Sequence, residues 1–107
     1  MDEGLSNWIL ATGESDSCRV DAMQHCIGGG IASAKCGSIC AIFLGGLLEL
    51  THHPEISGRD LYNNFWGAAC GVFASNNQDV VDCCESLLDV DFLWTSLETW
   101  EMGGTCH

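Results

Sequence analysis

Basic residues are almost missing from this chain: Arg19, Lys35 and Arg59 stand against fifteen acids, for a formal net charge of −12. That scarcity excludes nucleic acid and anionic membrane surfaces as expected partners, because phosphate binding draws its affinity from clustered Lys and Arg. Cation binding, or solubility alone, suits the balance better. Long apolar runs are missing too. The longest, Ile39 to Leu48, falls far short of the roughly 20 residues that span a bilayer as a helix. No stretch alternates with period two for long enough to make a strand, and no internal repeat or low-complexity block is visible. The first residues carry Asp2, Glu3, Glu14 and Asp16 without a basic start. No signal peptide is therefore expected within them, and a secreted protein would be present here as its mature form or as a domain of a longer chain.

Apolar residues and cysteines are abundant instead. Of 107 residues 47% are hydrophobic and 17% charged, a balance that argues against disorder and for one domain over residues 1–107 with a core of its own. Eight cysteines in so short a chain point to an oxidising compartment, secreted or otherwise. Their even number favours a disulfide framework over a zinc site or reduced core thiols. Connectivity stays open among about 105 pairings. Two local limits apply: Cys36 and Cys40, if helical, have nearly parallel Cβ vectors and are expected to find separate partners, and Cys83 cannot join Cys84 without severe strain.

Leu5 to Ala11, with Trp8 at its centre, reads as a short helix. Asp16 or Ser17 caps a second, in which Val20, Met23, Ile27 and Ile31 recur every three or four residues as far as Lys35. Gly28-Gly29-Gly30 interrupts it, so either the helix breaks there or another backbone packs directly on that face. Ile39 to Leu50 reads as a buried helix with Glu49 its only charge, and Thr51-His52-His53-Pro54-Glu55 as a loop. Ser57-Gly58-Arg59-Asp60 has the form of a capping box. It opens a helix to about Ser75, with Leu61, Phe65, Ala68, Ala69, Val72 and Phe73 expected on its core side. After a turn at Asn76-Asn77-Gln78, a last helix is expected from Asp79 to about Trp100, with Val80, Cys84, Leu87, Leu88, Phe92, Leu93, Leu97 and Trp100 inward. The fold class is then all-α, a compact domain of four or five helices stapled by disulfides.

Asp21 and His25 lie four residues apart on a helix, hence on one face about 40° apart, where a carboxylate can fix an imidazole tautomer and raise its basicity. Ordinary pairing on an exposed helix explains the same spacing. Asp60 and Asn64 repeat it, carboxylate to carboxamide. Two asparagines inside an amphipathic helix lower its stability, so Asn63 and Asn64 are expected to satisfy a backbone group, a ligand or a metal. His52-His53 without a second ligand cluster is weak support for a metal site. Cys26, Cys70 and Cys83 look like core staples, and Cys26 faces away from His25, which removes it as a nucleophile.

Asp21-Ala22-x-x-His25-Cys26, Cys36-Gly37, an apolar helix ending in Glu49, and Asp60-Leu61-x-Asn63-Asn64-x-x-Gly67 together resemble a group of small helical domains found in bacterial secreted and toxin-like proteins. Their members read D-A-x-R-H-C-x-W, then H-E or K-E, then D-L-x-N-N-x-x-G. The likeness covers about half of the chain. It implies a site made of Asp21, His25, Glu49, Asp60 and Asn64. Gln24 stands where that pattern has Arg, Gly28 where it has Trp, and Leu48 where many members have His, so this chain is expected to be an altered or inactive version if those residues take part. A fainter analogy, to secreted phospholipases A2, rests on a His beside a Cys in a disulfide-rich helix. The functional expectations are a hydrolase-like His/Asp/Glu/Asn site, a non-catalytic binding domain whose polar cluster is a structural network, or metal binding through His25, Glu49 and Asp60. No cofactor is identified by the sequence.

Overall fold

The computed structural model describes residues 3–37, 40 and 58–95. They form four helices, α1 (Glu3–Thr12), α2 (Ser17–Cys36), α3 (Gly58–Phe73) and α4 (Asn77–Asp89), and no strand is found among them. None of these helices is long and apolar enough to cross a membrane. Leu5 and Trp8 bury one side of α1, and the Trp8 indole Nε1–H donates to Glu85 Oε2 at 2.8 Å, which ties α1 to α4. Asp16 caps α2 as expected, its Oδ1 accepting the backbone N–H of Cys18 at 2.9 Å. Asn76 caps α4 in the same way through the N–H of Asp79 at 2.9 Å, while Asp79 Oδ2 accepts from the N–H of Ser75. Each cap satisfies donors that the first helical turn leaves open.

The three consecutive glycines do not break α2. They lie inside one continuous helix, and α3 packs backbone to backbone on Gly29 and Gly30, while Gly28 faces outward. A Cβ at Gly29 would meet the carbonyl oxygen of Asn64, one at Gly67 the backbone of Cys26, and one at Gly71 the carbonyl of Gly30. Removing the side chains lets two helix axes approach until Cα–H groups face carbonyl oxygens directly. The contacts run in parallel, Cys26 against Gly67 and Ser33 against Gly71. The first halves of both helices, which carry Asp21, His25 and Asp60, therefore lie at the same end of the pair.

This seam turns the expected core side of α3: Ala68 is buried as expected, but the bulky members of the set are not. Its buried side is Asn63, Gly67, Ala68, Cys70 and Gly71, whereas Leu61, Phe65 (49% exposed), Val72 and Phe73 (88%) face outward. Close approach outweighs side-chain hydrophobicity here, because a bulky residue on the seam would hold the helices apart.

Sulfur bridges lock the arrangement. Cys26–Cys84 joins α2 to α4 with a Cα–Cα distance of 5.9 Å, and Cys70–Cys83 joins α3 to α4 at 5.8 Å. In the chain-entropy account, loops of 58 and 13 residues are worth about 4 and about 3 kcal/mol. Cys18 is disulfide-bonded as well, and no free thiol occurs among the described residues. The expectation that Cys36 and Cys40 find separate partners is wrong: they bridge each other at a Cα–Cα distance of 5.8 Å. The reason is Gly37, whose φ of +91° ends α2 and takes the two cysteines off a common helix. The domain is thus all-α and disulfide-stapled.

The last helix is shorter than its pattern predicts. At Asp89 the chain enters a Schellman stop, in which Asp91 N–H donates to Leu88 O at 3.1 Å and Phe92 N–H to Leu87 O at 2.9 Å. Asp91 takes the left-handed conformation this motif needs, with φ +57°. Val80, Cys84, Leu88 and Leu93 are buried as expected, but Phe92 is 40% exposed. Leu97 and Trp100 lie outside the described residues.

Candidate functional site

α2 brings Asp21 and His25 together as their spacing predicts. His25 Nε2 stands 3.4 Å from Asp21 Oδ1; the carboxylate side chain is 1% exposed and the imidazole 15%. A buried carboxylate beside a partly exposed imidazole can bias the tautomer and orientation of the ring. Cys26, the next residue, is buried in its bridge to Cys84 and offers no thiol.

The other expected members are placed unevenly. Asp60 sits in the first turn of α3, with its side chain outside the description, and Asn64 is half-buried one turn later, its carbonyl oxygen against Gly29. Glu49, His52, His53 and the expected helix from Ile39 to Leu50 lie outside the described residues, Cys40 apart, as does Ser57 of the capping box. Of the expected metal set His25, Glu49 and Asp60, only the side chain of His25 lies among the described residues. Among the described residues, the sulfurs of Cys26, Cys70 and Cys84 lie within 4.8 Å of one another. All three are already held in disulfides.

Asn63 answers the question its sequence position raises. It is fully buried, and its carboxamide pairs with both backbone groups of Trp94: Nδ2–H donates to Trp94 O at 3.0 Å, and Trp94 N–H donates to Oδ1 at 2.9 Å. Pairing both ends of a buried amide offsets its desolvation and fixes the chain after α4 on the side of α3. Tyr62 O–H adds a bond to Phe92 O at 2.9 Å.

Around these anchors lies an aromatic cluster that reading the sequence for chemistry missed. Ring centroids of Tyr62 and Trp94 are 6.0 Å apart, Tyr62 and Phe92 6.2 Å, Trp66 and Phe92 4.7 Å, and Phe65 and Trp66 5.3 Å. A hollow of about 360 Å³ opens there, lined by Tyr62, Asp91, Phe92, Leu93, Trp94 and Thr95. A second, of about 220 Å³, lies between α1 and α4 beside Asn7, Trp8, Val81, Asp82 and Glu85. Neither of these two hollows is lined by Asp21, His25 or Asn64. The signal that points to the first is the run Tyr62-Asn63-Asn64-Phe65-Trp66, with aromatics at helical neighbour spacing around a buried amide.

Charge away from this region is arranged simply. Arg19 Nε donates to Glu14 Oε1 at 2.6 Å, and that bond holds the Glu14 carboxyl below the usual carboxylate range. No protein-family model matches the chain, and comparison with curated proteins and with solved structures returned no match.

Proposed function

We propose that this is a small domain of an oxidising compartment, secreted in the simplest case, with a hydrolase-like site in which His25 is the general base and Asp21 orients it. The observation that carries the reading is the 3.4 Å approach of the buried Asp21 carboxylate to the partly exposed His25 imidazole. With Asp21 beside Nε2, the general-base role is assigned to Nδ1, which takes a proton from a water molecule. The hydroxide so formed attacks an ester or related electrophilic centre, and the imidazolium returns the proton to the leaving group. Asp60, Asn64 and Glu49 are assigned to positioning substrate or a cation, as the likeness to the secreted helical domains implies. Hydrolysis of a panel of chromogenic carboxylic and phosphate esters tests this. His25→Ala should lower the rate about 10²- to 10⁴-fold with the melting temperature nearly unchanged. A wild-type chain inactive on every ester, or a variant as active as wild type, would overturn it.

A second reading is favoured by Asn63, whose carboxamide is wholly engaged with the Trp94 backbone. If His25 and Asp21 serve packing in the same way, the domain is a non-catalytic binding module and the polar cluster specifies its helix arrangement. His25→Ala would then lower the melting temperature and leave no activity to lose.

A further inference from the structure

We propose that the hollow at the end of α4 is a binding site for an organic cation of the quaternary or methylated ammonium class. Three of its six lining residues are aromatic. Tyr62, Phe92 and Trp94 line it, Phe92 is 40% and Trp94 37% exposed, and the planes of Tyr62 and Trp94 stand at 79°. A cation seated against exposed aromatic rings is attracted by their negative π faces. Asp91 belongs to the same lining, and no basic residue is among its described members.

Selection between cations follows from hydration. A compact metal ion or primary ammonium keeps its water in so open a hollow, whereas a trimethylammonium group cannot donate hydrogen bonds to water and gains from contact with rings. The net charge of −12 favours any cation over any anion in the approach. A volume of about 360 Å³ lies at the lower end of ordinary small-molecule sites and suits a head group rather than a large ligand.

The seat is built before the ligand arrives. The chain from Val90 to Thr95 is held by the two Schellman bonds, by Tyr62 on Phe92 O, and by both ends of Asn63 on Trp94. Asp91 is the one non-glycine residue with positive φ among the described residues. Glycine or asparagine is the residue most often found at that stop, so an aspartate there keeps a carboxylate at the rim against the backbone's preference. Fixed walls need little ordering on binding, which is what a weak, small ligand requires.

Titration of the oxidised full chain with choline, followed by amide chemical shifts, tests the proposal against 3,3-dimethylbutan-1-ol, its neutral isostere, and against calcium chloride. Choline should give saturable shifts at Tyr62 and at residues 91–95, and bind at least tenfold more tightly than the alcohol. Asp91→Asn, which tolerates the left-handed backbone, should weaken choline about five- to tenfold, and Trp94→Leu should abolish binding, with circular dichroism confirming both folds. Equal binding of choline and the alcohol would reduce the hollow to an apolar dent. Saturable calcium binding at the same residues, or no saturable shift with choline, would equally overturn the proposal. His25 takes no part, so His25→Ala should bind choline as wild type does.

Discussion

Replacing Gly67 by alanine tests whether α2 and α3 touch backbone to backbone. The added methyl would overlap the carbonyl oxygen, carbonyl carbon and Cα of Cys26, all main-chain atoms inside α2 that no rotamer change can move aside. The helices must separate instead. Inserting a methyl into a filled interior typically costs about 1–3 kcal/mol. A gap of 0.5–1 Å along the rest of the seam also forfeits about a quarter to a half of each dispersion contact there. Alanine's better helix propensity returns about 1 kcal/mol; with the lost dispersion adding about 1 kcal/mol, the net loss is on the order of 1–3 kcal/mol. In a domain of this size each kilocalorie moves the midpoint by about 4–8 °C, which places the fall between roughly 4 and 24 °C. Gly28→Ala is the matched control: Gly28 is exposed, with nothing within 4 Å of its Cβ position, and the same propensity term should stabilise it by about 1 kcal/mol. Urea and thermal unfolding of the oxidised proteins, followed by far-ultraviolet circular dichroism, should thus give opposite signs for two alanines in one helix pair. A Gly67→Ala protein as stable as wild type would mean that the helices are not in backbone contact.

Asn63→Ala should cost about 2–3 kcal/mol, since both backbone groups of Trp94 lose their partner, and should remove hydrogen-exchange protection from the Trp94 amide; unchanged protection would refute the pairing. For Glu14 the sign is that of a carboxyl whose folded pKa is lowered by Arg19. Its contribution is complete above the ordinary value of 4.5 and is lost as pH falls through the lowered one. Glu14→Gln should therefore flatten the acid limb of a stability–pH curve and change little at neutral pH; an identical acid limb would show that the pair is broken in solution.

Local rules carried much of this fold. Asp16 is a capping residue by type and position, Trp8 marks the buried face of α1, and the i,i+4 spacing of Asp21 and His25 survives directly as proximity, whereas Asn76, read only as part of a turn, proves to be the cap of α4. What failed were readings in which size mattered more than polarity. Periodicity counts Leu61, Phe65, Val72 and Phe73 as core and treats glycine as neutral, yet the glycines decide which face of α3 meets α2. Helix ends were hidden for a related reason. Asp91 occupies a stop where glycine would have announced itself, so Phe92 and Trp94 read as helical and the hollow between them and Tyr62 went unseen. Of the adjacent asparagines, the spacing from Asp60 singled out Asn64, while the fully buried one is Asn63.

Cys83 and Cys84 are neighbours in the chain, yet they reach to α3 and to α2 respectively. When heat or urea melts the helices, three segments still radiate from one covalent hub. The oxidised denatured state is consequently compact, and its shallow dependence on urea should steepen once a reductant opens both links.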